Sequence, residues 1–231
     1  MAMKRILILA LAALIPAAVF AQSYDEDAVY SSENGAFTFD ILGDIGYGEH
    51  LVWTDSYDNS TAGEFFLNVL KLKLYPVDNF GIEIRANWKL DHFASKKNVF
   101  ELDADKKVQV YDFAEKFGTA IKRPRSWMHV NSFTLPVLLK IGGDAFSIGL
   151  GAEGSYNYRG TAVYKFKGED KRHKEKTVGM AINPFTYNFL ATITFDGTTI
   201  YGKYYPKSSP VLVDGSGVEM GYFTIGVSYE L

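Results

Sequence analysis

The stretch FSIGLGAEGSYNYR, residues 146–159, decides the fold. Phe146, Ile148, Leu150, Ala152, Gly154, Tyr156 and Tyr158 fall on one face; Ser147, Gly149, Gly151, Glu153, Ser155, Asn157 and Arg159 fall on the other. So strict a period of two is a strand with one apolar and one polar face. Just upstream, Trp127, Phe133, Leu135, Val137, Leu139 and Ile141 share a face. Gly142, Gly143 and Asp144 join the two runs as a hairpin.

The same unit repeats outward in both directions. Upstream, Phe37, Phe39, Ile41, Ile45 and Tyr47 form one apolar row, and Phe80, Ile82, Ile84, Ala86 and Trp88 another. Between them a strand near 65–75 sets Leu70, Leu72 and Leu74 against Lys71 and Lys73, with Asn68 out of phase on the apolar face. Downstream come Phe185 to Phe195, a weaker run from Thr198 to Tyr205 ended by Pro206, and a closing row of Phe223, Ile225, Val227, Tyr229 and Leu231. Pro76 to Asn79 and Asp196-Gly197 are tight turns. Polar loops cover 55–61, 94–125 (with room for a small hairpin around Asp105) and 209–216, and the charge-dense Lys165 to Lys176 reads as a solvated loop. Eight strands result, with tight turns and both termini at one end and long loops at the other. That is the plan of an all-β, eight-stranded antiparallel up-and-down transmembrane β-barrel.

Composition agrees. The chain has 231 residues, 15% of them aromatic, and no cysteine, so a disulfide framework is excluded and strand formers abound. Lys4 and Arg5, the apolar run from Ile6 to Ala18, and Val19-Phe20-Ala21 have the form of a cleaved signal peptide over 1–21. A flexible acidic lead-in is expected over 22–34, and the barrel domain over 35–231. No later run reaches the roughly 18 apolar residues of a spanning helix, so membrane crossing would need a barrel. Nothing in the pattern calls for a nucleic-acid partner or a cofactor.

Alternation does not by itself say which face is inside. The apolar face, however, is banded. Phe37, Phe80, Phe146, Phe195 and Tyr229 lie at the turn end; Tyr47, Trp88, Trp127, Tyr156, Tyr158 and Tyr187 lie at the loop end, with aliphatic residues between. Two aromatic girdles around an aliphatic belt match a bilayer cross-section. The polar face mixes charge with glycine, as suits a lumen only wide enough for side chains to fill. The expected location is the outer membrane.

The motif FTLPVLLK at 133–140, the glycine-rich IGLGAEG at 148–154 and the closing YFTIGVSY at 222–229 resemble the Bacteroidetes-type outer-membrane β-barrel family, the PorT-like group, related in architecture to the OmpA transmembrane barrel. The resemblance covers about Gly35 to Leu231 and implies fold, location and insertion by the barrel-assembly machinery through the last strand. The chain departs from the pattern by ending on Leu231 instead of an aromatic residue. Pro136 lacks a ladder donor and marks an expected bulge.

Candidate chemistry is sparse. Glu83, Arg85, Lys89, Glu153 and Arg159 are the candidate interior charge network, able to pair across a plugged lumen. Lys122, Arg123, Arg125, Lys171, Arg172 and Lys174 are candidate contacts to lipopolysaccharide phosphates at the loop end. A lipid A deacylase would want His and Ser two apart on the lipid side, but two positions after His129 stands Asn131, and Ser132 points inward. The histidines have no metal-ligand spacing, and Asp103 with Asp105 falls short of a calcium loop. Two readings stand: a structural or surface-binding barrel, or a small pore or lipid-modifying enzyme.

Overall fold

The computed structural model describes residues 30–32, 35–77, 79–143, 145–168, 171–219 and 221–231. The expected signal peptide, most of the lead-in and Asp144 of the first hairpin turn lie outside the described residues. In chain order the elements are β1 (Tyr30–Ser32), β2 (Gly35–Ile41), β3 (Asp44–Trp53), β4 (Thr61–Val77), β5 (Phe80–Ser95), β6 (Asn98–Leu102) and β7 (Val108–Asp112). There follow α1 (Phe113–Phe117), β8 (Lys122–Gly142), β9 (Phe146–Lys167), β10 (Arg172–Val178), β11 (Phe185–Phe195), β12 (Thr198–Tyr205) and β13 (Gly221–Glu230).

β2 and β3 lie end to end on one edge of β4, Ile41 opposite Leu70 and Ile45 opposite Leu67, and so make a single broken stave. The ring then runs β4, β5, β8, β9, β11, β12, β13 and closes where β13 pairs β3 from Gly221↔Trp53 to Glu230↔Asp44. Each neighbouring pair is antiparallel. Among the described residues this is a closed eight-stranded antiparallel barrel, and all eight strands expected from the sequence are its staves. Closure leaves no unpaired edge around the ring.

The polar faces point inward. Glu153, Asn188 and Thr224 are completely buried, while Leu150, Ile141 and Tyr229 on the opposite faces are 62%, 64% and 57% exposed. A soluble protein would invert this arrangement. Phe146–Phe195 ring contact at the turn end, and Phe133 stacked on Tyr158 and Tyr156 against Phe185 toward the loop end, form aromatic rows bounding the aliphatic belt. The ten residue steps from Phe146 to Tyr156, on strands tilted as in small barrels, make a band about 25 Å tall. Trp127, expected in the loop-end row, stands six residues farther out on β8 than Phe133 and faces a groove instead.

Irregularities explain where the alternation misled. A bulge at Val69 shifts the register between Asn68 and Leu70, so Asn68 and Lys71 both turn inward while Phe65 and Val69 stay exposed on the outer face. Pro136 carries no bulge: β8 stays in register with β9 through Pro136↔Glu153, and the ladder to β5 merely lapses between Ile84↔Val137 and Asn87↔Thr134 before resuming in phase. The proline needs only a missing bond, not an extra residue. Asp196 and Gly197, with φ of 40° and 76°, make the tight hairpin turn that their sequence calls for.

At the loop end, β6 and β7 form the small hairpin around Asp105. Asp103 spends one carboxylate oxygen on the amides of Asp105 and Lys107 and the other on Gln109, which accounts for the aspartates as turn makers. The 165–176 segment is not a simple solvated loop. β9 continues to Lys167 and pairs with β10 from Val178↔Thr161 to Arg172↔Lys167, and β8 extends beside it. Over the barrel mouth, Tyr57, Val211, Leu212 and Val218 from the loops pack on Phe93, Met128, Val130, Tyr205 and Tyr222 as an apolar cap.

Candidate functional site

The lumen holds two charge clusters, one toward each end. Toward the turns, Lys71 reaches Asp44 at 2.9 Å and Glu230 at 2.8 Å, and Arg85 reaches Asp44 at 3.0 Å and Glu83 at 2.6 Å. Toward the loops, Lys203 lies 2.9 Å from Glu64 and 3.1 Å from Glu153. Lys89 lies 3.1 Å from Asp91 and donates to the Tyr205 hydroxyl at 3.0 Å. His50 sits 3.3 Å from Asp91 with its other ring nitrogen 2.8 Å from Thr224. Burying such ions is tolerable only because each finds counter-charge and hydrogen bonds.

Between the clusters Phe66, Leu138, Leu190 and Tyr201 pack together. The space left there, bordered by Arg85 on one side and by Glu153 and Lys203 on the other, is about 10 Å³. That is room for at most about one water.

Of the sequence candidates, Glu83 and Arg85 belong to one cluster, and Lys89 and Glu153 (3.9 Å apart) to the other. Arg159 belongs to neither. A register shift at Tyr158, between Asn131↔Arg159 and Ser132↔Asn157, turns Arg159 to the exposed side. Strict alternation carried past a bulge puts a residue on the wrong face. His50 and Glu64 were missed because they fall where the sequence suggested strand ends. Asp44, Lys71, Lys140 and Lys203 were visible on the polar face, but their pairing was not.

The second feature is a basic groove of about 750 Å³ on the extended wall of β8, β9 and β10. Arg123, Arg125, Arg172 and Lys174 line it, joined by Lys96, Lys165, Lys167 and His173, over a floor of Pro124, Trp127 and Phe166. Lys122 borders a smaller adjoining recess with Arg123, Lys167 and Arg172, whereas Lys171 lines neither. The register of β9 with β10, Lys165 opposite Lys174 and Lys167 opposite Arg172, stacks like charge against like charge. Like charges opposed across strands repel each other. Lys165 lies 5.2 Å from the Trp127 ring centre, and His173 stacks on Phe166 at 4.8 Å. Lys165, Lys167 and His173 could have been found from the sequence had the strand been carried on to its real end.

Above the loop-end aromatic row, His92 of β5 and His129 of β8 are cross-strand partners on the outer face, Nδ1 of one 2.8 Å from Nε2 of the other. Burial, with the neighbouring His129 and Arg125, pulls His92 down to about 4, and burial with Lys176 nearby lowers His129. Ser132 donates inward to Asn157 at 2.6 Å and is out of reach of service to His129. No group of three or more metal-ligating side chains occurs among the described residues.

No family model matches the chain, and no curated protein matches it. Two crystal structures of Ail, the attachment invasion locus protein of Yersinia pestis, are similar, each at 17% identity over 86% of this chain and 99% of that one. The TM-scores are 0.36 and 0.37, the second structure being a complex with the heparin analogue sucrose octasulfate.

Proposed function

We propose that this chain is an outer-membrane β-barrel that serves as a rigid platform for surface binding, and that its basic groove holds phosphate groups of lipopolysaccharide. The observation that carries the reading is the pairing of an inward-charged, outward-apolar barrel with a cationic wall standing beyond the apolar band. β8 and β9, at 21 and 22 residues, run about 70 Å along the strand. The tilted belt uses about half of that, so the groove lies at headgroup height and outward from it. Arginine forks suit phosphate oxygens bidentately, and lysine adds point charge. The filled lumen and the apolar cap favour this reading over a pore. The resemblance to the PorT-like group, on the three motifs quoted, supports the same location, with the barrel-assembly machinery as the insertion partner.

Fractionation of expressing cells with lipopolysaccharide titration of the purified, refolded barrel tests this. The protein should partition with the outer membrane, and it should prefer intact to dephosphorylated lipopolysaccharide. The double variant Arg125→Glu, Arg172→Glu should lose that preference while keeping heat-modifiable gel migration. Equal affinity of wild type and double variant for intact lipopolysaccharide would overturn the groove, and recovery in the soluble periplasm would overturn the location.

A further inference from the structure

We propose that His92 and His129 form a two-imidazole site for a divalent late transition-metal ion on the outer wall of the barrel. The two residues are directly opposed across β5 and β8, and their facing nitrogens are 2.8 Å apart. Metal–imidazole bonds are about 2.0–2.1 Å, so a tetrahedral ion would hold its two nitrogens about 3.3 Å apart, whereas cis positions at about 90° need about 2.9 Å. In the metal-free pair one of these nitrogens donates to the other, and their hydrogen-bonded separation is within about 0.1 Å of the distance between cis ligands, so an ion could replace the shared proton with little movement of the strands. The separation therefore suits tetragonal Cu²⁺ or Ni²⁺ better than tetrahedral Zn²⁺, and Cu²⁺ leads in intrinsic affinity for nitrogen sites. The rings are tilted by 43° with centres 4.9 Å apart, not stacked flat, so metal binding requires the side chains to rotate until both lone pairs meet at one external point.

The site is open to such an ion. Both residues are partly exposed on the outer face, and their strands are held on both sides by neighbours, which fixes the bite. Opposite His92 on β4 stands Gly63, and opposite Gly63 on β3 stands Glu49, so the outward row reads Glu49, Gly63, His92, His129. With no side chain at Gly63, a groove of about 590 Å³ connects Glu49 to His92. Arg125 and Lys176 act on the pair with positive charge, and Glu49 lines the same groove two strands away across Gly63. Water completes the coordination of an ion held by two protein nitrogens. The other histidines are unsuited: His50 is enclosed in the lumen against Asp91, and His173 is stacked on Phe166 in the cationic groove.

The test is a calorimetric titration of the full, untagged mature protein in detergent micelles with CuCl₂, NiCl₂ and ZnCl₂. Electron paramagnetic resonance of the copper form then reads the ligands. One equivalent of Cu²⁺ should bind, more tightly than Ni²⁺ and Zn²⁺, with an axial signal showing two coupled nitrogens. His92→Gln and His129→Gln should each weaken binding by about tenfold or more, at least what loss of an outer-shell partner costs a metal site. His173→Gln should leave it unchanged. Heat-modifiable migration confirms that each variant is folded. Absence of saturable copper binding, or an affinity unchanged by His92→Gln or His129→Gln, or binding abolished by His173→Gln, would overturn the site.

Discussion

Arg85 binds Glu83, its neighbour two residues back on the same strand, at 2.6 Å, and with another guanidinium nitrogen reaches Asp44 at 3.0 Å on a different stave. One cation thus ties β5 to β3 through the lumen. Among the described residues, Arg85→Ala would leave Glu83 with Lys140, at 4.0 Å, as its remaining ion pair and Asp44 with Lys71. Removing one partner of a buried network costs about 3–5 kcal/mol, because the remaining charges stay buried. Arg159→Ala should change stability by no more than about 0.5 kcal/mol, since that side chain is exposed. Urea unfolding of the refolded barrel in lipid vesicles measures both. A comparable loss for the two variants would return Arg159 to the lumen.

Leu150 and Val178 are both exposed, at 62% and 47%, but only Leu150 lies in the apolar belt. Leu150→Arg should cost about 2–4 kcal/mol in a bilayer, whereas Val178→Arg on β10 should be within about 0.5 kcal/mol of wild type. The contrast comes from solvent alone: both sites have room for the side chain. Equal effects in vesicles would mean that the belt does not face lipid.

The packed lumen predicts that planar-bilayer recordings of the wild type give no steady porin-like current. Phe66, Leu138, Leu190 and Tyr201 form an apolar layer between two charge clusters, and an ion crossing it would surrender its hydration with nothing offered in return. A stable large conductance from the unmodified protein would refute this.

The barrel was legible in the sequence because a two-residue period is a local property, readable strand by strand. Phe146 to Tyr158 and Phe80 to Trp88 needed no knowledge of their partners. What failed was phase after an insertion: the bulges at Val69 and Tyr158 reverse the faces, and only cross-strand register reveals them. Asn68 out of phase was the one visible symptom, and Arg159 gave none. Candidate lipopolysaccharide contacts were found as a charge run, yet their gathering into a groove depends on β9 and β10 pairing, which strongly charged strands conceal. The apolar cap and most of the lumen pairings are tertiary, some joining residues more than a hundred positions apart, such as Glu64 and Tyr205.

The final prediction concerns how glycine and aromatic residues share the narrow lumen. Gly46 and Phe66 are opposed across β3 and β4, and a Cβ at Gly46 would stand 2.3 Å from the Phe66 ring. The ring therefore lies over bare backbone, filling the volume that a side chain would need, with Lys203 5.2 Å from its centre. Gly46→Ala should overpack this layer and cost about 1–3 kcal/mol. Phe66→Ala should cost about 3–5 kcal/mol through the cavity it leaves. In the double variant the new methyl enters space that the ring has vacated, so the combined loss should fall short of additivity by about 0.5–3 kcal/mol. Gly154→Ala is the control, since a Cβ there meets nothing within 4 Å, and it should be nearly neutral. Vesicle unfolding of the four variants decides the matter. Strict additivity of Gly46→Ala and Phe66→Ala would show that the ring does not occupy the glycine's place.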